Sequence, residues 1–201
     1  FHASTFWDDI VNCGVTAIQF QGVIPAILLK LPQTKQERAH RVKFVLCAGC
    51  EPNLHEQFER RYGFPLVEMW AMTETGRMTT DYVEPRMIHT RALGRSCPGA
   101  ELRAVDAQGN DVPVGEPGEL VIRHSAETPR HGFFSGYLKN SQATDEAWRG
   151  GWFHTGDTVR QDSSGMFFFM DRSKNIIRRA GENIAAAEVE ECITAHDKVK
   201  Q

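Results

Sequence analysis

No stretch of the 201-residue chain approaches the ~18 consecutive apolar residues needed to span a bilayer, and no signal peptide opens it. Three phosphate-binding and hydrolytic signatures are also missing. There is no G-x-x-x-x-G-K loop, no G-x-G-x-x-G turn and no G-x-S-x-G elbow. Charge of one sign is not in excess either: 23 Lys and Arg face 26 Asp and Glu, a net charge of −3. That balance gives no reason to expect nucleic acid as a partner. The eight histidines contain no H-x-x-x-H pair, which argues against a histidine metal site. Five cysteines, an odd number spread over a long chain, make no disulfide framework and point to a reducing, cytoplasmic compartment. Cys47-Ala48-Gly49-Cys50 has CxxC spacing but no second pair, so buried thiols are expected rather than zinc ligands.

What remains is ordinary globular composition, 41% hydrophobic and 24% charged, in a length that suits one or two domains. The first 75 or so residues alternate helix and strand signals. Ser4 or Thr5 can cap a helix carrying Phe6, Trp7, Ile10 and Val11, stopped by Gly14. Val15–Phe20 reads as a β-branched strand, and Pro25 and Pro32 bracket a short apolar helix. Val42–Cys47 is a near-continuous apolar run, as expected of a strand covered on both faces. Asn53 is placed as the cap of a helix with Leu54, Phe58 and Tyr62 on one face and Gly63 at its end; Pro65–Trp70 is the next strand. This order predicts an α/β fold, a mostly parallel sheet with flanking helices.

From about Leu93 the pattern changes to short strands and turns. Glu101–Val105 alternates with period two, Asp106–Asn110 is turn chemistry, and Gly118–Arg123 is a further strand. Asp162–Gly165 is a tight turn before Met166–Met170. The expected organisation is an α/β subdomain over 1–90, a β-rich, barrel-like subdomain over 91–171, and the start of a small α+β domain over 172–201. A helix is expected from Ala186, and the basic run Arg172, Lys174, Arg178, Arg179 reads as a solvated face.

Three segments carry chemistry. Trp70-Ala71-Met72-Thr73-Glu74-Thr75-Gly76 follows a strand directly, putting a hydroxyl and a carboxylate at a strand's carboxyl end, where ligands of open α/β sheets bind. A carboxylate there can hold Mg²⁺ and the hydroxyl can donate to phosphate; the plain alternative is a polar loop. In Gly151-Trp152-Phe153-His154-Thr155-Gly156-Asp157, an acid after a glycine turn, fixed by flanking aromatics, can accept two hydrogen bonds from a vicinal diol such as ribose, or be a simple turn aspartate. The third segment runs from Asp171-Arg172 through Gly181-Glu182-Asn183 to Glu190.

Together these segments resemble the adenylate-forming (AMP-binding) superfamily of acyl-CoA synthetases, luciferases and peptide-synthetase adenylation domains. Trp70–Glu74 is similar to that family's Tyr-Gly-x-Thr-Glu, and Trp152–Asp157 to its aromatic-x-Thr-Gly-Asp. Asp171–Glu190 is similar to its hinge segment, while Ala48–Pro52 stands where its adenine loop lies. Asp171-Arg172 before Asn175, with Gly181-Glu182-Asn183, resembles crotonobetaine/carnitine-CoA ligases and related acyl-CoA ligases most nearly.

The resemblance implies a two-step reaction, in which a carboxylic acid and ATP give acyl-AMP and pyrophosphate before the CoA thiol displaces AMP. Thr73 would then contact phosphate and Glu74 would hold Mg²⁺. Gly49, Cys50, Glu51 and Pro52 with Glu68, Met69, Trp70 and Ala71 would form the adenine slot, Phe169 packing at its edge. Asp157 and Arg172 would grip the ribose, Lys174 would be the hinge, and the Gly181 loop would line the CoA path. Phe20, Gln21, Gly22 and Trp70 are acyl-pocket candidates by position, where a bulky Trp70 favours a short acid or merely packs on the adenine loop. Departures are Ala71 for glycine, Trp70 for tyrosine, Asn175 for aspartate, and Cys50 and Glu51 for small residues, a carboxylate at 51 being unexpected. The family's phosphate loop and C-terminal catalytic lysine have no counterpart in the 201 residues. The chain is therefore expected to be a piece of a longer enzyme and inert by itself. An adenylation domain that loads a carrier protein, or a nucleotide-binding module without catalysis, are the alternatives.

Overall fold

The computed structural model describes residues 1–172, 176–179, 182–185 and positions 189, 192, 193, 196 and 199. The chain divides into two compact units, one formed by Phe1–Arg95 with Gly132–Phe134, the other by Ser96–His131 with Ser135–Gln201.

The first unit is α/β. Helices α1 (Phe6–Asn12), α2 (Val23–Lys30) and α3 (Pro52–Tyr62) accompany strands β1 (Ala17–Gln21), β2 (Phe44–Ala48), β3 (Leu66–Ala71), β4 (Met78–Thr80) and β5 (Ala92–Gly94). Strands β1, β2 and β3 pair in parallel, with Gln21 opposite Ala48 and Cys47 opposite Glu68; β4 runs antiparallel to β3. Phe58 and Tyr62 present one α3 face to the sheet, both fully buried, beside Val45, Cys47 and Leu66. Their rings lie 4.6 Å apart, and Trp7 packs 4.5 Å from Tyr62. Gly63 closes α3 with a φ of +84°, a left-handed turn that favours glycine.

Two charged clamps fasten α3. Arg61 pairs with Glu37 at 2.6 Å and donates to the Leu29 and Leu31 carbonyls. Glu59 accepts from Arg86 at 2.7 Å and from the Leu66 N–H at 2.8 Å, which fixes the start of β3.

The structure corrects several local expectations. Val15 closes α1 by donating to Ile10 O, so β1 starts only at Ala17. Helix α3 starts at Pro52, its first helical residue, with Glu51 as cap in place of Asn53. β2 buries Val45 and Cys47, while Phe44 is 37% exposed, so the run is not covered equally on both faces.

The second unit is an antiparallel meander in the order β9-β8-β7-β6, formed by β6 (Glu101–Val105), β7 (Pro117–Arg123), β8 (Phe153–Gln161) and β9 (Phe167–Arg172). The Asp106 carboxylate accepts the Gln108 and Asn110 amides, and Asp162 accepts those of Ser164 and Met166, so both predicted turns are held by an aspartate. One helix escapes the sequence pattern, α4 (Ser141–Ala147), capped by Asn140 accepting from Ala143 N–H at 3.0 Å. After the second unit's β9, β10 (Ile176–Arg179) pairs antiparallel with β11 (Glu182–Ala185). The expected helix start at Ala186 lies outside the described residues. Among the described residues no helix is long and apolar enough to cross a membrane.

Candidate active site

In the first unit, the parallel strands deliver their following residues to one carboxyl edge of the sheet. Phe20 to Gly22 end β1, Gly49–Pro52 follows β2, and Ala71–Glu74 ends β3 and enters the next turn. That edge is where an open α/β sheet binds ligands.

Glu68 organises the turn after β2. It is 5% exposed, and its carboxylate accepts the Gly49 N–H at 2.7 Å and the Cys50 N–H at 3.3 Å. Burial pushes its pKa up to about 7, opposed by those two amides and by Arg91. The Glu68 side chain thus serves as an internal clamp for the predicted adenine loop. Gly49 turns with a φ of +76°, and Gly22 N–H donates to Ala48 O at 2.8 Å. A Cβ on Gly22 would come within 1.8 Å of Gly49 O, so this glycine permits a backbone-to-backbone approach. The unexpected carboxylate of Glu51 has a partner, Arg91 at 2.9 Å. Cys47 and Cys50 are both buried, and their mutual hydrogen bond, with burial, pushes the Cys47 thiol far up.

Of the predicted slot, Glu68, Met69 and Trp70 are at most 6% exposed and pack within the unit, leaving Ala71 exposed. Phe20 is half-buried, its ring 5.8 Å from Phe58, and Gln21 is exposed. Thr73 is exposed and Glu74 half-buried on the turn after β3. Thr75, which the sequence reading passed over, holds that turn. Its fully buried hydroxyl donates to Met72 O at 2.9 Å and accepts the Met72 N–H at 3.4 Å. Glu74 O accepts from Phe134 N–H at 2.9 Å, and Gly76 approaches Gly132 so closely that a Cβ would sit 2.4 Å from its carbonyl oxygen.

In the second unit, Asp157 stands opposite Arg172 across the β8–β9 ladder, and Phe169 pairs with Val159. The expected glycine turn before Asp157 is instead an irregularity inside β8. His154–Thr158 spans the stretch opposite Glu119–Val121, and Gly156 takes a φ of +74°. Hydrogen bonds hold Asp157 there, beside the buried ring of Phe153. The Asp157 N–H donates to Thr155 Oγ1 at 3.1 Å, and that hydroxyl donates to Leu120 O at 2.7 Å. Asp157 is 1% exposed. Lys174 and Gly181 lie outside the described residues.

Among the described residues no three His, Cys, Asp or Glu side chains converge as a metal cage. Glu74 on its fastened turn is a single carboxylate, a donor set suited to Mg²⁺ held jointly with phosphate oxygens.

Comparison with known proteins bears on this arrangement. The family model described as "AMP-binding enzyme" matches residues 1–138. The chain is 31% identical to crotonobetaine/carnitine–CoA ligase of Salmonella typhi over 205 residues, covering 100% of this chain and 38% of that protein. It is 29% identical to the very long-chain fatty acid transport protein of Saccharomyces cerevisiae, covering 98% of this chain and 34% of the relative. Unliganded O-succinylbenzoate coenzyme A synthetase of Bacillus subtilis superposes with a TM-score of 0.79 at 27% identity, over 98% of this chain and 42% of that one. The chain thus spans little more than a third of the length of the curated relatives it matches. With the motifs in the expected order on the expected fold, the chain belongs to the AMP-binding enzyme family.

Proposed function

We propose that the whole protein is an ATP-dependent acid–thiol ligase, an acyl-CoA synthetase that activates a carboxylic acid as its acyl-AMP and transfers the acyl group to CoA. The observation that carries this reading is the gathering of the Gly49–Pro52 and Thr73–Glu74 turns at the carboxyl edge of one parallel sheet. A carboxylate oxygen of the acid attacks the α-phosphorus of ATP, and pyrophosphate leaves. The CoA sulfur then attacks the acyl carbon and AMP leaves.

In this reading the Glu68-clamped turn receives adenine, the Thr73 hydroxyl donates to phosphate, and Asp157 with Arg172 engages the ribose. Glu74 would hold Mg²⁺, which supplies neutralisation of the charge gathering on phosphate and the leaving pyrophosphate. Phe20 and Gln21 are placed for the acid, with Gly22 setting how closely the adenine turn approaches them. Lys174 is assigned the hinge and the Gly181 loop the CoA path, within a division at about 90 and 171. A reducing, cytoplasmic setting belongs to this reading, on the odd count of five cysteines in the sequence.

The test is pyrophosphate exchange into ATP by the intact protein across a panel of short and branched acids. Acid-dependent exchange is expected, and its absence with every acid would overturn the reading in favour of a nucleotide-binding module. Product release that needs a carrier protein instead of CoA would reassign the acceptor.

A further inference from the structure

The predicted ribose carboxylate sits just after a weak point in its strand. Between Glu119 and Val121 the β7–β8 register slips, so the segment around Gly156 lacks regular ladder pairing. Such a segment keeps one shape only if its freed amides find other partners. Thr155 takes the Asp157 amide. The Gly156 amide goes to Glu119, whose Oε1 accepts it at 3.2 Å.

The same carboxylate does more. Its Oε2 accepts from His154 Nδ1 at 2.8 Å and from Arg149 Nη2 at 3.0 Å. His154 is the residue at the start of the slipped stretch, with a side chain only 10% exposed. One side chain of β7 therefore grips the irregular segment at His154 and again at Gly156, leaving little freedom in where the next residue, Asp157, stands. Burial alone would raise the Glu119 pKa, but His154, Arg149 and the Gly156 amide outweigh it and hold the carboxyl below its usual range. It is thus ionised at neutral pH and accepts from all three donors.

We propose that Glu119, acting with His154, is a positioning residue for nucleotide recognition, holding Asp157 where its carboxylate meets the ribose hydroxyls. This rests on the reading of Asp157 given under Proposed function. The hydrogen bonds that Glu119 makes are charge-assisted, so releasing them frees the segment that carries Asp157.

The experiment measures, by calorimetry on the intact protein, the affinities of ATP and of 2′,3′-dideoxy-ATP. Their ratio reports only what the ribose hydroxyls contribute. Asp157→Asn should lower that ratio about tenfold or more, the scale of hydrogen bonds to a charged group. Glu119→Leu should lower it about as far, and Glu119→Gln, which keeps one acceptor oxygen, and His154→Gln less. Adding Glu119→Leu to Asp157→Asn should lower it no further, because the two act as one unit. If Asp157→Asn collapses the ratio while both Glu119 variants and His154→Gln leave it unchanged, whatever they do to Tm, the positioning role is wrong and the ribose reading stands. If Asp157→Asn itself leaves the ratio intact, the ribose reading falls and the positioning role falls with it.

Discussion

Neutralising Glu68 should change how the protein's stability depends on pH. The residue is 5% exposed, and burial pushes its carboxyl pKa up to about 7, against an ordinary value of 4.5. Because the folded-state pKa is raised, the folded protein keeps this proton over a pH interval where the unfolded chain has released it. The group's stabilising contribution is therefore complete below pH 4.5, declines as pH rises towards 7, and is lost above that. At about 1.4 kcal/mol for each pH unit, the interval corresponds to about 3 kcal/mol. Glu68→Gln keeps the size of the side chain and one oxygen to accept an amide, but has no proton to release. Urea unfolding of the parent and the variant side by side, from pH 4.5 to 8, cancels the titrations that both share. The parent should lose stability relative to the variant by about 3 kcal/mol over that range, with the midpoint of a Glu68 carboxyl NMR titration near 7. A stability difference independent of pH, or a titration midpoint near 4.5, would refute the burial argument.

Other outcomes follow from features of the same unit. Glu74→Gln should abolish Mg²⁺-dependent pyrophosphate exchange in the intact protein with Tm unchanged; normal turnover would remove Glu74 from the metal. Gly22→Ala places a methyl against Gly49 O and should cost about 1–3 kcal/mol in denaturant unfolding, with an unchanged midpoint arguing that the approach is looser than described. Phe58→Ala empties a fully buried site among Phe20, Tyr62 and Phe64 and should cost about 3–5 kcal/mol by the same assay.

How legible these features were in the sequence depended on how local their causes are. The alternation of Glu101–Val105 marked β6 at its observed ends, because a half-buried strand writes its burial into every second residue. The α3 face of Phe58 and Tyr62 and its glycine stop were equally visible. Helix α4 was not, since only Thr144 among its seven residues is buried and no apolar stripe announces it. The motif residues were legible through resemblance, but what holds them was not. Glu68 sits in a run of five buried residues, Leu66–Trp70, and its partners are 18 and 19 positions away. Glu119 read as one more polar residue of a strand, its partners lying 30 or more residues further on. Gly22 owes its role to the backbone of Gly49, a neighbour created only when β1 and β2 pair in parallel.

The Glu68 clamp also sets what kind of group the turn after β2 can welcome. Turns that cradle anions do so by aiming consecutive backbone amides outward at the ligand. Here two consecutive amides, Gly49 and Cys50, point inward at a buried acid instead. The polarity of such a nest is thereby inverted: its donors are consumed, and above pH 7 a negative charge lies directly behind it. A phosphate gains nothing from this turn, whereas a neutral ring bearing an amino group meets no electrostatic penalty. Under the proposed reading, one carboxylate placed in an apolar strand helps determine which end of a nucleotide would face β2 and which would lie elsewhere.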